Sequence, residues 1–504
     1  MWDQITVKNL LAMIARKLLL LSVVLAVTGV SASVQAADSD NVADLFSIFE
    51  PKDDKAVGAQ QHKRIVAQYG GEYTQEGLND YILDIVLRIA FVTKQKNDPW
   101  QVTVLNTPAV NAFALPGGYV YVTRGLLALA NNEAEVAGVL AHEVGHVIAR
   151  HGAGRQSRAT GIGILGAIAG VLTQSSEIFK LGQTVGGLFL ADYSRDQEYE
   201  ADQLGVKYLG LSGYPREAMA DFLGRLEDYA EYSKKLAGKD GESGQFDFFA
   251  SHPQTEDRIS RAKADAKSKK DDLERDYRTA EFLEHIDGIL FGDDIREGVI
   301  RGRHFLHPDL RLAFDAPRGF QLINSSRAVF AKDRNGNQMV FDMDPRGLQK
   351  LTPAQYMSQV WMKNTKTGKV HAIQVGGANA AITRFNLNKG NKKSYITAVV
   401  INFGYNNVAR FIYQSRQRNK ELEARYRESF KSFRPVGYAE AAEVKQIKLN
   451  IKTVRYGNDL GDLLNGMSES KLQRDLFLLL NPTYLEHEPR RGDVYKLPEY
   501  ATEE

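Results

Sequence analysis

His142, Glu143 and His146 form an H-E-x-x-H pattern within Ala141-His142-Glu143-Val144-Gly145-His146. Around it, Val136, Val139, Leu140, Val147 and Ile148 recur at helical spacing. Residues four apart on a helix share a face, so both imidazoles can bind one metal ion, and zinc suits them as donors. Glu143 lies a quarter turn away, where its carboxylate can reach a water on that ion rather than the ion itself. That is the place of a general base acting on a water whose pKa zinc lowers to about 7. Asn132 as N-cap, with Glu135 three residues on, reads as the capping box that starts the helix.

Two histidines do not complete such a site. The chain has no cysteine, so the third ligand must be histidine or carboxylate. A longer motif with a third histidine is excluded, because positions 149 and 152 hold Ala149 and Gly152. His151, five residues past His146, falls roughly 140° round the helix and is expected to face solvent. A second helix supplies the alternative: Ser194-Arg195-Asp196-Gln197 reads as another capping box, followed by Glu198-Tyr199-Glu200-Ala201-Asp202. Glu198 and Asp202 share a face, which suits one metal ligand and one carboxylate behind the ligands; Asp202 can accept the free ring N–H of His142. Glu200, two positions on, points to the other side.

Four motifs in order carry a family resemblance over roughly residues 60–265. They are Asn111-Ala112-Phe113-Ala114 running to Pro116-Gly117-Gly118, the H-E-x-x-H helix, Ser194-Arg195 with Glu198-x-x-Ala201-Asp202, and Ser251-His252-Pro253 with Arg258. Together they resemble the zinc metallopeptidase family of the CAAX prenyl endoproteases, the mitochondrial inner-membrane stress proteases and the bacterial periplasmic BepA-type peptidases. The resemblance implies a mainly helical, gluzincin-type zincin domain with a small sheet and one Zn²⁺ per chain. It implies an endopeptidase with ligands His142, His146 and Glu198, base Glu143, and Asp202 behind His142. Asn111, Ala112, Phe113 and Ala114 form the strand along which a substrate peptide would add. Arg195 and Tyr193 are candidates for stabilising the oxyanion. His252, in the last motif, reads either as a loop-pinning residue or as a regulatory fourth ligand that swings onto the zinc and off again. By the same resemblance, the substrates are misfolded or stalled envelope polypeptides in periplasmic quality control.

The rest of the chain has to hold and address that domain. Its 504 residues allow about three domains. With 64 Lys and Arg against 62 Asp and Glu, the net charge of +2 indicates no nucleic-acid face. Residues 1–36 read as a cleaved signal peptide: Arg16-Lys17, an apolar run from Leu18 to Val30, then small residues. That places the chain in the periplasm; an uncleaved inner-membrane anchor facing the periplasm is the alternative. Residues 37–60 are expected to be a linker and 61–295 the peptidase domain. The glycine-rich apolar stretch 160–190 reads as buried packing, a lid, or a membrane contact.

Residues 300–436 alternate strand and helix patterns as a separate α+β domain without a catalytic constellation. Residues 446–500 resemble a degenerate LysM module of βααβ order, with Gly457-Asn458-Asp459-Leu460 at its first turn. The overall fold class is therefore α+β. Unfolded envelope polypeptides are the expected partners, with peptidoglycan or the outer-membrane assembly machinery as further ones. Two rival functions follow from the same residues: a chaperone or scaffold with a latent zinc site, or a cell-wall-binding protein acting through its C-terminal half.

Overall fold

The computed structural model describes residues 54–501, apart from 116, 152–192, 238–251, 253–256, 269–274, 326–327, 390–391, 405–406, 456–458, 469, 471 and 486. The signal peptide, most of the expected linker and the 160–190 stretch lie outside the described residues, as do Ser251 and Pro253. Described residues from Asp54 onward belong to one compact unit.

That unit begins with a correction. The polar stretch from 54 on is not a linker but a helix, α1 (Asp54–Gln68), whose Ile65, followed by Tyr69, is buried against Leu105 and Tyr121. Ile65, Val66 and Tyr69 among polar neighbours give a thin apolar stripe, enough to cover one face of a small sheet. The next helix, α2 (Leu78–Phe91), is strongly amphipathic, and Leu78, Ile82, Ile85, Val86 and Ile89 are its buried face. In the sheet, β1 (Gln101–Leu105) runs parallel to β3 (Tyr119–Thr123), which is antiparallel to β2 (Ala112–Leu115). The order β1-β3-β2 leaves β2 at an edge. Thr123 caps the short α3 (Arg124–Leu129), and α4 (Glu133–Ile148) follows. Beyond it come α5 (Arg195–Leu211), α6 (Ala218–Ala237), α7 (Arg258–Ser268), α8 (Thr279–Ile286) and the strand β4 (Ile289–Phe291).

The central segment opens with β5 (Val299–Arg301), β6 (His304–His307), β7 (Leu312–Asp315), β8 (Gln321–Asn324), β9 (Ala328–Lys332) and β10 (Gln338–Asp344). Helix α9 (Pro353–Tyr356) runs on as a π-helical turn over Met357–Trp361. Then come β11 (His371–Val375), β12 (Ala378–Lys389), β13 (Lys392–Asn402), β14 (Val408–Ser415), α10 (Lys420–Lys431), β15 (Arg434–Pro435) and α11 (Tyr438–Ala442). A seven-stranded antiparallel sheet, β11-β12-β13-β14-β10-β9-β8, is its backbone, beside a four-stranded sheet β15-β7-β6-β5. Alternation along the strands builds two cores. Phe341, Phe411 and Tyr413 pack under Leu422, Tyr426 and Phe430 of α10 on one face. Val340, Val400 and Ile412 pack under Tyr356 and Trp361 on the other.

The tail has the strand-helix-helix-strand order: β16 (Ile447–Thr453), α12 (Leu460–Gly466), α13 (Gln473–Leu480) and β17 (Val494–Tyr500). Its strands are not a separate sheet, for β4 joins them in the order β17-β16-β4. Leu449, Leu463, Phe477, Leu480 and Leu497 share one core with Val136 and Leu140 of α4. The buried Lys496 ammonium donates to the carbonyls of Ala128, Leu129 and Ala130 at 3.1, 3.0 and 2.8 Å. These are carbonyls at the C-terminus of α3, which a helix cannot satisfy internally. Among the described residues, no helix is long and apolar enough to cross a membrane.

Candidate metal centre

The site is built on α4 and α5. Asn132 caps α4 by accepting from the Glu135 N–H at 2.8 Å; the Glu135 carboxylate in turn accepts from Asn131 N at 2.8 Å, one residue short of a closed capping box. On α5 the box does close, with Gln197 N donating to Ser194 Oγ at 3.3 Å and Ser194 N to Gln197 Oε1 at 3.0 Å. The two helices approach closely because α4 carries Gly145 at the crossing. A Cβ there would stand 3.3 Å from the Ala201 carbonyl oxygen and 3.2 Å from Leu204 Cβ. That approach sets the acidic face of α5 against the histidines of α4.

His142 Nε2 and His146 Nε2 are 2.9 Å apart, and Glu198 reaches them at 3.6 and 3.5 Å. His252 closes the group: its Nδ1 is 3.1 Å from Glu198 Oε1 and 3.2 Å from His142 Nε2, and its Nε2 is 3.3 Å from Glu143 Oε1. One ligand atom from each of His142, His146, Glu198 and His252 lies within 4.8 Å of all the others. Ligands about 2.0–2.1 Å from a tetrahedral ion stand about 3.3–3.4 Å apart, so the donor set fits one divalent cation. Charge agrees. Glu143, Glu198 and Asp202 are 1–3% exposed, and Arg258, at 1%, is the cation that pairs with two of them. A net buried charge of two negatives is costly in this setting and is what a divalent cation neutralises.

Behind the donors, His142 Nδ1 lies 2.9 Å from Asp202 Oδ1. Arg258 in turn donates to Asp202 through Nε at 2.8 Å and Nη2 at 2.7 Å, and its Nη1 is 2.9 Å from Glu198. Burial alone would raise the Asp202 carboxyl, but the hydrogen bonds from Arg258 and His142 hold it down at about 2. Burial would lower His142, yet Asp202 and Glu198 outweigh it and leave its pKa above the ordinary value. His146 goes the other way, held well below the ordinary value by burial and by the neighbouring His142.

His151 requires the second correction. It is buried, not solvent-facing: its Nδ1 is 2.8 Å from His146 Nδ1 and its Nε2 3.2 Å from Glu200 Oε2. The helical projection fails because α4 ends at Ile148 and Arg150 adopts a left-handed φ of 56°, which turns the chain back onto the helix. Glu200, facing away from the donors, thereby meets His151 instead. Tyr193 stacks on the His146 ring at 3.6 Å between centroids, whereas Arg195 stands exposed in the first turn of α5. Asn111 precedes β2 and its carbonyl accepts from Thr123 N and Oγ1 at 3.0 and 2.9 Å; Ala112 and Ala114 face the core of α4, Phe113 the side of α1. Reading the sequence for ligands alone passes over Arg258 as a site residue. Its place in the motif with His252 was the available signal.

Comparison with known proteins bears on the same stretch. Residues 76–266 match peptidase family M48. Over 219 residues the chain is 30% identical to the putative beta-barrel assembly-enhancing protease of Vibrio cholerae, covering 42% of each chain. Over 197 residues it is 29% identical to the beta-barrel assembly-enhancing protease of Escherichia coli, covering 37% of this chain and 38% of that one. Over 156 residues it is 37% identical to the mitochondrial metalloendopeptidase OMA1 of Arabidopsis thaliana, covering 31% of this chain and 29% of that one. The match thus spans about two fifths or less of the length of these relatives. The matched residues hold all four donors of the buried cluster together with Glu143, Asp202 and Arg258, so the likeness to peptidase family M48 covers the whole candidate metal centre.

Proposed function

We propose that the chain is a zinc-dependent endopeptidase, with His142, His146 and Glu198 as the resident ligands and Glu143 as general base. The observation that carries this reading is the buried four-donor cluster with the Glu143 carboxylate 3.3 Å from one of its members. Zinc, when bound, supplies Lewis acidity to the attacking water and the scissile carbonyl. Glu143 takes the proton of that water at its carboxylate and delivers it to the leaving amine. Asp202, held by Arg258, accepts from His142 Nδ1 and keeps Nε2 turned to the metal; His151 stands in the same relation to His146. The β2 edge offers main-chain groups to an extended substrate peptide. Of the two oxyanion candidates, Tyr193 is favoured by its stacking on His146.

The position of His252 supports a second reading of the same site, a latent peptidase. With its ring nitrogens 3.1–3.3 Å from Glu198, His142 and Glu143, it fills the space a substrate carbonyl and water would use. Substrates of the misfolded or stalled envelope class, and a periplasmic address, rest on the apolar N-terminal run and on relatives whose names include beta-barrel assembly. Glycan binding by the βααβ tail rests only on its element order. Cleavage of an unfolded protein such as casein tests the reading. Activity should vanish with chelator, return with zinc, and drop by about 10²–10⁴-fold or more in Glu143→Gln at unchanged metal content. A Gln variant cleaving at the parent rate would remove Glu143 as the base.

A further inference from the structure

Residues 345–420 hold thirteen of the chain's 64 Lys and Arg but none of its 62 Asp and Glu, where an even spread would place about nine acids. The overall charge of +2 conceals this segregation. Two of the thirteen are used inside the domain: Arg410 is buried against Asp342, and Arg346 pairs with Asp344. Arg418 stands 3.8 Å from Glu423. Lys363, Lys366, Lys369, Arg384 and Lys393 are all exposed, and among the described residues none of them has an ion-pair partner.

The fold brings the loop bearing Lys366 and Lys369 to the same end of the sheet as Arg384 and Lys393, along the β12 edge. Thr383 Oγ1 donates to the Gly368 carbonyl at 3.1 Å, and a Cβ on Gly368 would stand 2.2 Å from the Arg384 carbonyl oxygen, so the loop carrying Lys366 and Lys369 lies tight against β12 at Arg384. On the β12–β13 hairpin, Ala380, Ile382, Val399 and Ile401 point into the core under α10. By alternation, Arg384, Lys393 and Tyr395 continue that face toward the hairpin tip, beyond its core. There Asn388 is paired with Lys393 and Lys389 with Lys392. Lys393 Nζ stands 5.3 Å from the centre of the half-buried Tyr395 ring.

We propose that this end of the seven-stranded sheet is a docking surface for the anionic headgroups of a lipid bilayer. Between residues 363 and 393 the cations are six Lys and one Arg. Lysine offers a point charge without the planar fork that reads a phosphate or a base edge, which suits a diffuse anionic plane better than a specific phosphoryl or nucleic-acid site. A single tyrosine beside the charges matches the ring's preference for the headgroup level. Read as an export signal, the apolar run from Leu18 to Val30 after Arg16-Lys17 takes the chain to a membrane during translocation. Clusters of four to eight basic residues bind anionic bilayers with about 1 kcal/mol per charge.

The test is flotation of the full chain with vesicles of phosphatidylcholine with or without about one third phosphatidylglycerol. The expected result is preferential binding to the anionic vesicles, lost at about 0.5 M salt. Combined Lys363→Gln, Lys366→Gln, Lys369→Gln and Lys393→Gln should lower that partition roughly a thousandfold, toward the neutral-vesicle level. A control neutralising the exposed Lys94, Lys96, Lys207 and Lys267 should lower it less than about tenfold, because charges away from the contact are screened. Equal binding to both vesicle types, an equal loss in the control, or preference for a DNA duplex over anionic vesicles at the same salt would each overturn the proposal.

Discussion

Asp202→Asn exchanges one oxygen for an amide without changing size, so its cost comes from polarity alone. In the folded protein, Asp202 Oδ1 faces both His142 Nδ1 at 2.9 Å and Arg258 Nη2 at 2.7 Å, while Oδ2 faces Arg258 Nε at 2.8 Å. Each of these is a donor, so wherever the amide nitrogen sits it meets a hydrogen it cannot accept. Placing it at the Oδ2 position loses least: one charge-assisted hydrogen bond and one unit of charge beside a buried guanidinium. Breaking a buried pair outright costs about 3–5 kcal/mol, and since Glu198 still lies 2.9 Å from Arg258 Nη1 the low end applies, about 3 kcal/mol. Metal binding should weaken separately by roughly 10–100-fold, because the orienting partner of His142 is degraded and the site's charge no longer matches a divalent cation. Urea unfolding in chelator reads the first quantity; competition with a chromophoric chelator reads the second. Peptidase activity should recover in excess metal. An Asn variant that unfolds within about 0.5 kcal/mol of the parent and holds metal equally would refute both the charge argument and the orienting role.

Glu198→Ala should abolish stoichiometric metal in elemental analysis, a larger loss than any change at Asp202; the reverse order would move the ligand to Asp202. His252→Ala should keep its metal and raise basal cleavage of casein, since three ligands suffice; a folded variant with equal or lower activity removes the latency reading. Lys496→Met should cost about 1–3 kcal/mol in denaturant unfolding, by leaving the carbonyls of Ala128, Leu129 and Ala130 without their donor, and parent-like stability would disprove that capping role. Burial pushes the Lys496 ammonium down to about 7 from 10.5, with Glu135 opposing it. Between those values the unfolded chain holds more protons than the folded one. Wild-type stability should therefore rise with pH across that window, a rise that Lys496→Met lacks.

What can be read along the chain is whatever local chemistry sets. The pairing of His142 with His146, the Ser194 capping box and the strands Gln101–Leu105, Ala112–Leu115 and Tyr119–Thr123 depend on spacing and on neighbours a few residues away. Periodicity therefore places them. The long strands β12 to β14 were legible for the same reason, being buried in alternation on both faces. Short strands such as β4 and β5, three residues each, are too brief to show a period and exist because neighbouring strands pair with them.

Tertiary structure alone decided the rest. His151 is buried because a single left-handed residue, Arg150, reverses the chain, and φ at one position leaves no trace in a hydrophobic pattern. Arg258 meets Asp202 across 56 residues of chain, a pairing that only the packing of α7 against α5 creates. The tail looks self-contained in sequence because its strands pair with each other, yet its apolar side chains complete the core around α4, an area requirement that no local signal encodes. Segregation of charge over residues 345–420 is present in the sequence but disappears in a sum over 504 residues. It becomes a surface only when the loop bearing Lys366 and Lys369 is pinned to β12, because a potential depends on where charges sit in space and not on their number.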